Sequence, residues 1–398
     1  MKKKIGVVIG ASGDAVHSIQ MAQKNGIYVI GLDGNSEAEG LRYVDEIRII
    51  DISDEDKVSA VIDEIAPDFV IPVPIGRYLS TMGVINDMFR LNGATGRATK
   101  FSTDKYLFHG ELKKAGLRNI DAFLINRSTE YDIIKDIKFP ALFKPRYGSG
   151  SRDIFYVNNQ EELKKFFWMT VKKKEDFILE QAVEGTEYSV DGAVIEGKMY
   201  ITLLREKIIT PIPVRQPISS FSVIISEENK ALFNRIYKHI ESAAKVLNYD
   251  NCLLNADLIV NENEVFLIEM APRPSGHNLH DIFVPLATGI DLSEEYIYFL
   301  LQKRYNFQPS LIRRLQIRFF DFEDVIITKV PQIEEIQNSD YCNLVLWNCN
   351  ILNGDVMNKV TNGHSIMGRG FFIVEGDSKE DLIAQSEWIL SQFEYARI

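Results

Sequence analysis

Short apolar runs separated by helical patterns fill the first hundred residues. Four of these runs, at residues 4–9, 29–32, 47–50 and 69–73, have the length and composition of strands. Residues 54–66 carry apolar side chains at helical spacing between the third and fourth runs. Strands that alternate with helices form parallel sheets. The pattern therefore predicts an N-terminal α/β domain with a parallel, Rossmann-like βαβ sheet over residues 1–100.

A second region with strand and helix patterns follows. Strands are predicted at residues 139–144, 177–181, 188–195 and 199–204, and a helix at residues 227–247. The pattern at residues 252–271 predicts two strands that form a hairpin. A strand at residues 370–374 and a helix at 379–393 predict a small closing lobe. The expected fold class is thus α/β, with a parallel sheet in the first domain and an α+β region after it.

Composition narrows the function classes. The chain has 398 residues, of which 45% are hydrophobic and 25% charged, as in soluble proteins of several domains. A formal charge of −11 without clustered Lys and Arg argues against nucleic acid as a partner. No signal peptide or membrane-spanning stretch is recognisable, so we expect a cytoplasmic protein without a membrane partner. The three cysteines lack CxxC spacing, so neither a disulfide framework nor a zinc knuckle is expected.

Two glycine-containing turns are candidates for anion binding. Residues 10–13, Gly-Ala-Ser-Gly, lie between the first strand and a helix, but a third glycine is missing at Ala15, which favours a plain turn over a dinucleotide site. Lys144 is more informative, because it ends an apolar strand and the Gly/Ser-rich residues 148–152 follow. Backbone amides of such a loop can approach phosphate while the lysine supplies a charge. We expect this loop to be mobile without nucleotide and ordered with it. It is not a Walker A loop.

Two acidic patterns follow. Residues 180–187 join two strands through an acidic turn, where an adenine edge and a ribose can be read. In the hairpin, pairing across a turn at residues 262–263 puts Asp257 directly opposite Glu269, with Cβ atoms roughly 5 Å apart. Two facing carboxylates repel each other unless a cation lies between them, and such oxygen ligands suit Mg²⁺ with bound phosphates. We therefore expect a metal site here, and expect that neutralising either carboxylate relieves repulsion in the metal-free protein.

The loop after the hairpin carries a guanidinium and an imidazole. Arg273 suits bidentate binding of phosphate or carboxylate. His277 and His280 lack a third ligand at convincing spacing, so zinc is not expected. For His109, His239 and His364 a structural role is favoured. Arg215, in a proline-rich stretch at residues 210–217, is a weaker candidate for holding a substrate carboxylate.

Taken in order, these segments resemble the ATP-grasp superfamily over essentially the whole chain. The resemblance implies an ATP-grasp domain at residues 101–305, with a small lobe at about 120–185 and a large lobe at about 186–305, and a C-terminal lobe at 306–398. It implies nucleotide contacts from the following residues: Lys105, Lys144, Ser149, Gly150, Ser151, Glu180, Val183 and Glu187. It also implies magnesium ligands at Asp257 and Glu269, with Arg273 stabilising the transferred phosphoryl group. Ser275, Gly276 and His277 would contact substrate.

One departure from the superfamily pattern is Ala271, where many members have an Asn two residues after the second metal carboxylate. The run at residues 269–277 is similar to carboxyaminoimidazole ribonucleotide synthetases, which also lack that Asn. The longer C-terminal lobe, with residues 362–364 and 368–370 before its last strand, is more similar to the L-amino acid ligases, and we favour these.

The resemblance implies an enzyme that uses ATP and Mg²⁺, with Mn²⁺ as an alternative ion, to activate a carboxylate as an acyl phosphate that an amine captures. Lys144 and Arg273 would be the catalytic cations. The expected partners are small-molecule carboxylate and amine substrates, and a homodimer is one assembly it allows. Two alternatives stay open, namely a purine-pathway carboxylase and an ATP-binding protein without turnover.

Overall fold

A computed structural model describes residues 3–148, 153–210, 216–360, 366 and 368–398. The chain begins with a parallel four-stranded sheet in the order β3-β2-β1-β4. The strands are β1 (Ile5–Ile9), β2 (Tyr28–Asp33), β3 (Glu46–Ile49) and β4 (Phe69–Val70). Helices α1 (Val16–Lys24), α2 (Glu55–Ile65) and α3 (Leu79–Phe89) connect or follow them, with 3₁₀ turns at Gly13–Ala15 and Glu39–Arg42. The sheet residues Val8 and Val29 pack with Ile19 of α1 in a fully buried core.

Two short helices lead into a small antiparallel lobe. They are α4 (Gly96–Thr103) and α5 (Lys105–Lys114). The lobe contains β5 (Ala122–Ile125), a 3₁₀ turn (Tyr131–Ile133), β6 (Ala141–Pro145), β7 (Phe155–Val157), α6 (Gln160–Thr170) and β8 (Phe177–Gln181). Its sheet order is β5-β8-β6-β7. Phe143, Phe167 and Phe177 form its core with the strands and α6, so this lobe has a hydrophobic core of its own.

The largest sheet begins with five long strands. These are β9 (Thr186–Ile195), β10 (Lys198–Ile209), β11 (Pro217–Ser222), β12 (Cys252–Val260) and β13 (Val265–Ala271), with α7 (Lys230–Val246) between β11 and β12. Ile236, Ile240 and Ala243 recur at helical spacing on α7 and are fully buried. They belong to one core with Val190 and Ala256 of the sheet. On the opposite face Ala193, Leu203 and Leu253 belong to a second buried core, so only part of that face is left for the candidate site.

The remaining elements continue this sheet. A π-helical turn (Leu279–Phe283), α8 (Val284–Thr288) and α9 (Leu292–Leu300) precede β14 (Leu315–Phe319). Then come β15 (Val325–Lys329), α10 (Ile333–Gln337), β16 (Leu344–Cys349), β17 (Val356–Met357), β18 (Gly370–Glu375), α11 (Lys379–Ser391) and β19 (Glu394–Arg397). The eight-stranded order is β13-β12-β9-β10-β11-β14-β18-β16, and β17-β15-β19 form a separate sheet. The sheet thus crosses the predicted boundary at residue 306.

The predicted fold class is confirmed. The N-terminal sheet is parallel, the later sheets are antiparallel, and the predicted hairpin at residues 252–271 is β12 and β13. The domain boundaries themselves stay predictions. β4 is shorter than the apolar run at residues 69–73, and β10 extends beyond the predicted strand at 199–204. Among the described helices, none combines the length and apolar character that a bilayer span requires.

Candidate active site

Two carboxylates lie opposite each other on the central hairpin. Asp257 of β12 pairs directly with Glu269 of β13, as the hairpin register predicted. A bulge follows at once, because Leu258 pairs with Leu267 rather than with Ile268. Asp257 is the single position of β12 that is not buried, and Glu269 is also partly accessible. The hairpin therefore presents two acidic side chains from an otherwise largely apolar pair of strands.

Only one of the two carboxylates lacks a partner. Lys207 of β10 places its Nζ 2.7 Å from Asp257 Oδ2, and the Ser189 hydroxyl donates to Asp257 Oδ1. Burial acts to raise the pKa of Asp257, but Lys207 and Ser189 outweigh it and the pKa is lowered. Glu269 makes no hydrogen bond or salt bridge with the described residues. The expectation of two mutually exposed, repelling carboxylates was wrong for Asp257, because an ammonium group already neutralises it.

The donor set fits a hard divalent cation. Mg²⁺ is commonly held by one or two carboxylates and completes its octahedron with phosphate oxygens and water. Asp257 and Glu269 supply two such carboxylates on neighbouring strands. Within the described residues no cluster of three or more His, Cys, Asp or Glu could hold a metal by itself. Ala271 pairs with Asn255 at the next position on this sheet edge, so the nearest amide belongs to β12 rather than β13.

Lys105 and Lys144 come together because the start of α5 is bound to the end of β6. Asp104 caps α5 by accepting from the amides of Tyr106 and Leu107. Its two oxygens also bind Arg146, from Nε at 2.9 Å and Nη2 at 2.7 Å. This pair fixes the start of α5 against the end of β6, and Lys105 Nζ donates to the Gly148 carbonyl at 2.5 Å. Both lysines are thus held beside the predicted phosphate loop.

Glu180 lies in a buried cluster with three basic side chains. Its Oε1 is 2.5 Å from Lys144 Nζ, and its Oε2 is 2.6 Å from Arg118 Nη2 and 3.4 Å from His109 Nε2. Burial opposes ionisation of Glu180, but Lys144 and Arg118 hold its pKa below the usual value. Burial also lowers the pKa of Lys144, and lowers that of His109 well below its usual range. His109 is therefore a neutral ring that lies 3.1 Å from Lys144 Nζ and can accept from it.

Glu269 lies within electrostatic reach of three cations. Burial lowers the pKa of Lys105, of Lys144 and of Arg273, and in each case the Glu269 carboxylate opposes that shift. Asp14 and Asp257 act on Arg273 in the same direction as Glu269. Arg273 itself donates to the Pro274 carbonyl at 2.7 Å. Glu269 therefore acts on both lysines and on the arginine, and Asp257 acts on the arginine as well.

The remaining predicted residues fall into three groups. Val183 and Glu187 flank the connection from β8 to β9, and Glu187 pairs with Ile259. Ser275, Gly276 and His277 follow Arg273, and the His277 amide donates to Asp14 Oδ1 at 3.2 Å. Ser149, Gly150, Ser151 and Arg215 lie outside the described residues, as do Arg152 and residues 362–364.

Several side chains of this region were not predicted. Lys207 and Ser189 reach Asp257 from neighbouring strands, and Arg118 reaches Glu180 from the loop after α5. None of these residues belongs to a local sequence motif. Predicting their contacts would have required the pairing of strands that are distant in the sequence. His109 had been given a structural role, and it indeed supports Lys144, but it does so inside the candidate site.

Comparisons with known proteins agree with this geometry. Residues 137–280 match the family model of the ATP-grasp domain. The D-alanine–D-alanine ligase of Helicobacter pylori (strain HPAG1) is 24% identical over 192 residues, which are 44% of this chain and 53% of that protein. The carbamoyl phosphate synthase large chain of Campylobacter jejuni is 27% identical over 305 residues, which are 73% of this chain and 27% of that protein. The chain thus spans about half the length of the first relative and about a quarter of the second.

Solved structures cover the whole fold. The L-amino acid ligase of Bacillus licheniformis superposes with a TM-score of 0.80 at 15% identity, covering 100% of both chains. The N5-carboxyaminoimidazole synthetase of Staphylococcus aureus with ADP gives 0.74 at 14% identity, covering 98% of this chain and 97% of that one. The predicted resemblance to ATP-grasp ligases is confirmed at the level of domain and fold. Residues 137–280 match the ATP-grasp domain, and the chain shares its fold from end to end with these two structures.

Proposed function

We propose that the protein is an ATP-dependent carboxylate–amine ligase that forms an amide or peptide bond through an acyl phosphate and releases ADP and phosphate. One observation carries the proposal: Glu269, which faces Asp257 across the hairpin, acts electrostatically on Lys105, Lys144 and Arg273. Two acidic ligands with three phosphate-binding cations match what transfer of a γ-phosphoryl group requires. No side chain in this cluster is needed as a nucleophile.

In the first step a substrate carboxylate oxygen attacks the γ-phosphorus. The bond to the β,γ-bridging oxygen breaks, and ADP leaves with the electron pair. Lys105 and Lys144 bind phosphate oxygens, and Arg273 stabilises the charge on the transferred group. Asp257 and Glu269 would hold Mg²⁺, which supplies charge neutralisation at the β- and γ-phosphates. The Glu180 carboxylate is already bound to Lys144 and Arg118. We therefore assign the adenine edge to the backbone of residues 180–183 and the ribose to Glu187.

In the second step the amine nitrogen attacks the acyl carbon with its lone pair. The C–N bond forms, the bond between the acyl carbon and the phosphate oxygen breaks, and inorganic phosphate leaves with the electron pair. An ammonium substrate loses two protons overall, one to the departing phosphate and one to solvent. Lys207, next to Asp257 on the same sheet face, is suited to bind the substrate carboxylate or the acyl-phosphate oxygens. Arg215, Ser275, Gly276 and His277 remain proposed substrate contacts.

An L-amino acid ligase activity is favoured over a carboxylase acting on an aminoimidazole nucleotide. The TM-score of 0.80 with the Bacillus licheniformis ligase exceeds that of 0.74 with the Staphylococcus aureus synthetase. The synthetase activity is kept as the second candidate, because the Glu-Met-Ala-Pro-Arg-Pro run at residues 269–274 resembles such enzymes. Phosphate release with pairs of amino acids, or with the aminoimidazole substrate plus bicarbonate, separates the two.

Hydroxylamine tests the intermediate. With ATP, Mg²⁺ and the correct carboxylate, hydroxylamine should intercept the acyl phosphate and give a hydroxamate together with ADP. Products are measured by the ferric hydroxamate colour and by nucleotide chromatography, with a reaction lacking carboxylate as the control. AMP and pyrophosphate would reveal an adenylate route and overturn the mechanism. No nucleotide turnover with any substrate would instead support an ATP-binding protein without catalysis.

A further inference from the structure

A carboxylate of the N-terminal domain reaches into the loop that follows Arg273. Asp14 lies in the 3₁₀ turn after β1, and its Oδ1 accepts the His277 amide from the other end of the ATP-grasp domain. A Cβ added at Gly276 would stand 3.2 Å from Asp14 Oδ2, so this glycine allows the close approach. Asp14 is also one of the charges that act on Arg273 and on His280. It therefore belongs to the same cleft as the phosphoryl-transfer residues.

The loop that meets Asp14 is strained. His277 and Asn278 have φ values of 63° and 60°, in the left-handed region that few residues other than glycine adopt. Strain of this kind is retained where the geometry serves a site. Here the conformation turns the His277 amide towards Asp14.

Two polar groups of the same loop are buried without a well-formed hydrogen bond. The Ser275 hydroxyl belongs to a residue that is 3% exposed and has no partner among the described residues. The His280 ring is fully buried, and it interacts with the Ser275 backbone and with Asp281, whose Oδ1 is 3.8 Å from His280 Nδ1. Buried polar groups without partners are rare in native proteins and commonly mark a ligand position. The loop thus offers the unpartnered Ser275 hydroxyl, one residue before Gly276, which closely approaches the Asp14 carboxylate.

The charge of this turn selects the kind of ligand. Asp33 accepts the Ala11 amide at 2.8 Å, and the Glu39 carboxylate stands next to Gly13. Three carboxylates around residues 10–14 repel an anion and attract a cation. The turn after β1, which in dinucleotide-binding folds receives phosphate, is therefore unsuited to phosphate in this chain.

We infer that Asp14, together with the Ser275 hydroxyl, forms the binding site for the ammonium group of the amine substrate. The inference rests on the proposed ligase function and assigns it a substrate class, a primary amine that arrives protonated. Asp14 holds the amine beside Arg273, next to the acyl phosphate. Release of one proton to water frees the lone pair for attack, and the second proton leaves with phosphate as the amide forms. Asp14 is thus a specificity-determining residue for the second step.

The test compares two nucleophiles that capture the same acyl phosphate. Hydroxylamine is uncharged at neutral pH, whereas glycinamide and L-amino acids carry an ammonium group. For Asp14→Asn, the ratio of amine capture to hydroxylamine capture in kcat/KM should fall roughly 10- to 100-fold, through a higher KM for the amine. Ser275→Ala should lower the ratio less. Asp63→Asn removes an exposed carboxylate of α2, outside this turn, and should keep the wild-type ratio.

Four outcomes are distinguishable. A lower ratio in Asp14→Asn, with a smaller decrease in Ser275→Ala and no change in the control variant, supports the inference. An unchanged ratio, with both captures reduced together and a lower melting temperature, shows that Asp14 only holds the loop and overturns it. Capture of hydroxylamine but of no ammonium compound by the wild type overturns it as well. If the wild type gives no hydroxamate, the proposed function itself fails, and the amine site fails with it.

Discussion

At the scale of single residues, Asp257 and Glu269 differ although they face each other. Asp257 is bound by Lys207 and Ser189, whereas Glu269 makes no hydrogen bond or salt bridge among the described residues. Lys207 is only 10% exposed, so removing the Asp257 charge leaves a largely buried ammonium group without its counterion. Removing the Glu269 charge breaks no direct contact among the described residues, although it weakens the longer-range attraction that acts on Lys105, Lys144 and Arg273. Equal substitutions at the two positions should therefore have unequal consequences for the metal-free protein.

In EDTA, Asp257→Asn should lower the free energy of unfolding by about 1–3 kcal/mol, the usual cost of an unsatisfied buried polar group. Glu269→Gln should lower it by less than Asp257→Asn does, because it breaks no direct contact. Thermal melts check both predictions. The double variant Asp257→Asn/Lys207→Met should recover part of the lost stability, because the two side chains are coupled. Both single variants should gain less thermal protection from Mg²⁺ and an ATP analogue than wild type. If Asp257→Asn melts as high as wild type, the Lys207 contact carries no stability.

This pair also shows how far the sequence could specify the site. The opposition of Asp257 and Glu269 was predictable because a tight hairpin relates its two strands by local register. Lys207 was not, since β9 lies between its strand and that of Asp257, and a bulge shifts the pairing of β10 with β9. Asp14 meets His277 across 263 residues of chain. Contacts of that kind depend on domain packing, which no local pattern encodes.

At the scale of elements, α1 and α9 are joined by a histidine–carboxylate pair. Asp291 caps α9 by accepting from the amides of Ser293 and Glu294, and its Oδ2 lies 2.7 Å from His17 Nε2 on α1. Burial acts to lower the pKa of His17, but Asp291, assisted by Asp281 and Glu294, outweighs it and the pKa is raised. The N-terminal domain is therefore attached to α9 by a contact that is strongest when His17 is protonated.

Because the pKa of His17 is raised on folding, its contribution to stability is complete below the unfolded value of 6.5 and disappears as pH rises through the folded value. His17→Gln should therefore lower the melting temperature in acid and have less effect in alkali. His239 provides the opposite sign, since burial lowers its pKa and its protonation opposes folding as pH falls. His239→Gln should melt relatively higher in acid. Melts of both variants and wild type from about pH 5 to 8 decide this, and parallel profiles would contradict it.

Some strands could be predicted from the sequence and others could not, and the difference has a physical reason. β1, β2, β8 and the β12–β13 hairpin were found because each is a compact apolar run with clear turn residues on either side. β11 and β14 were not, because they carry buried polar residues such as Ser219, Gln316 and Arg318. Those side chains bond to one another across the sheet, for example Gln316 Nε2 to Ser219 Oγ at 2.8 Å. Their burial depends on partners that are about 100 residues away in the chain.

At the scale of the whole molecule, the large lobe and the C-terminal residues share one sheet. β11 pairs with β14, β14 with β18, and β18 with β16, so backbone hydrogen bonds run from the hairpin to the last lobe without a break. The small lobe is different, because its four strands pair only with one another and enclose a separate aromatic core. Cooperative unfolding units follow continuous pairing and shared cores. We therefore expect two units within the ATP-grasp region and the C-terminal lobe, divided differently from the predicted boundary at residue 306.

Native-state hydrogen exchange in increasing denaturant tests this division. Phe372 of β18 is fully buried, and Phe372→Leu should cost about 1 kcal/mol or somewhat more, since part of the core volume is lost. That loss should appear equally in the opening free energies of slow amides in β10, β11, β14 and β18, and should be absent from β6 and β8. Phe143→Leu, in the fully buried core of the small lobe, is the matched control and should show the reverse pattern. If Phe372→Leu destabilises β18 while leaving β10 and β11 unchanged, the C-terminal strands open as a separate unit, and a boundary near residue 306 describes the energetics better than the continuous sheet does.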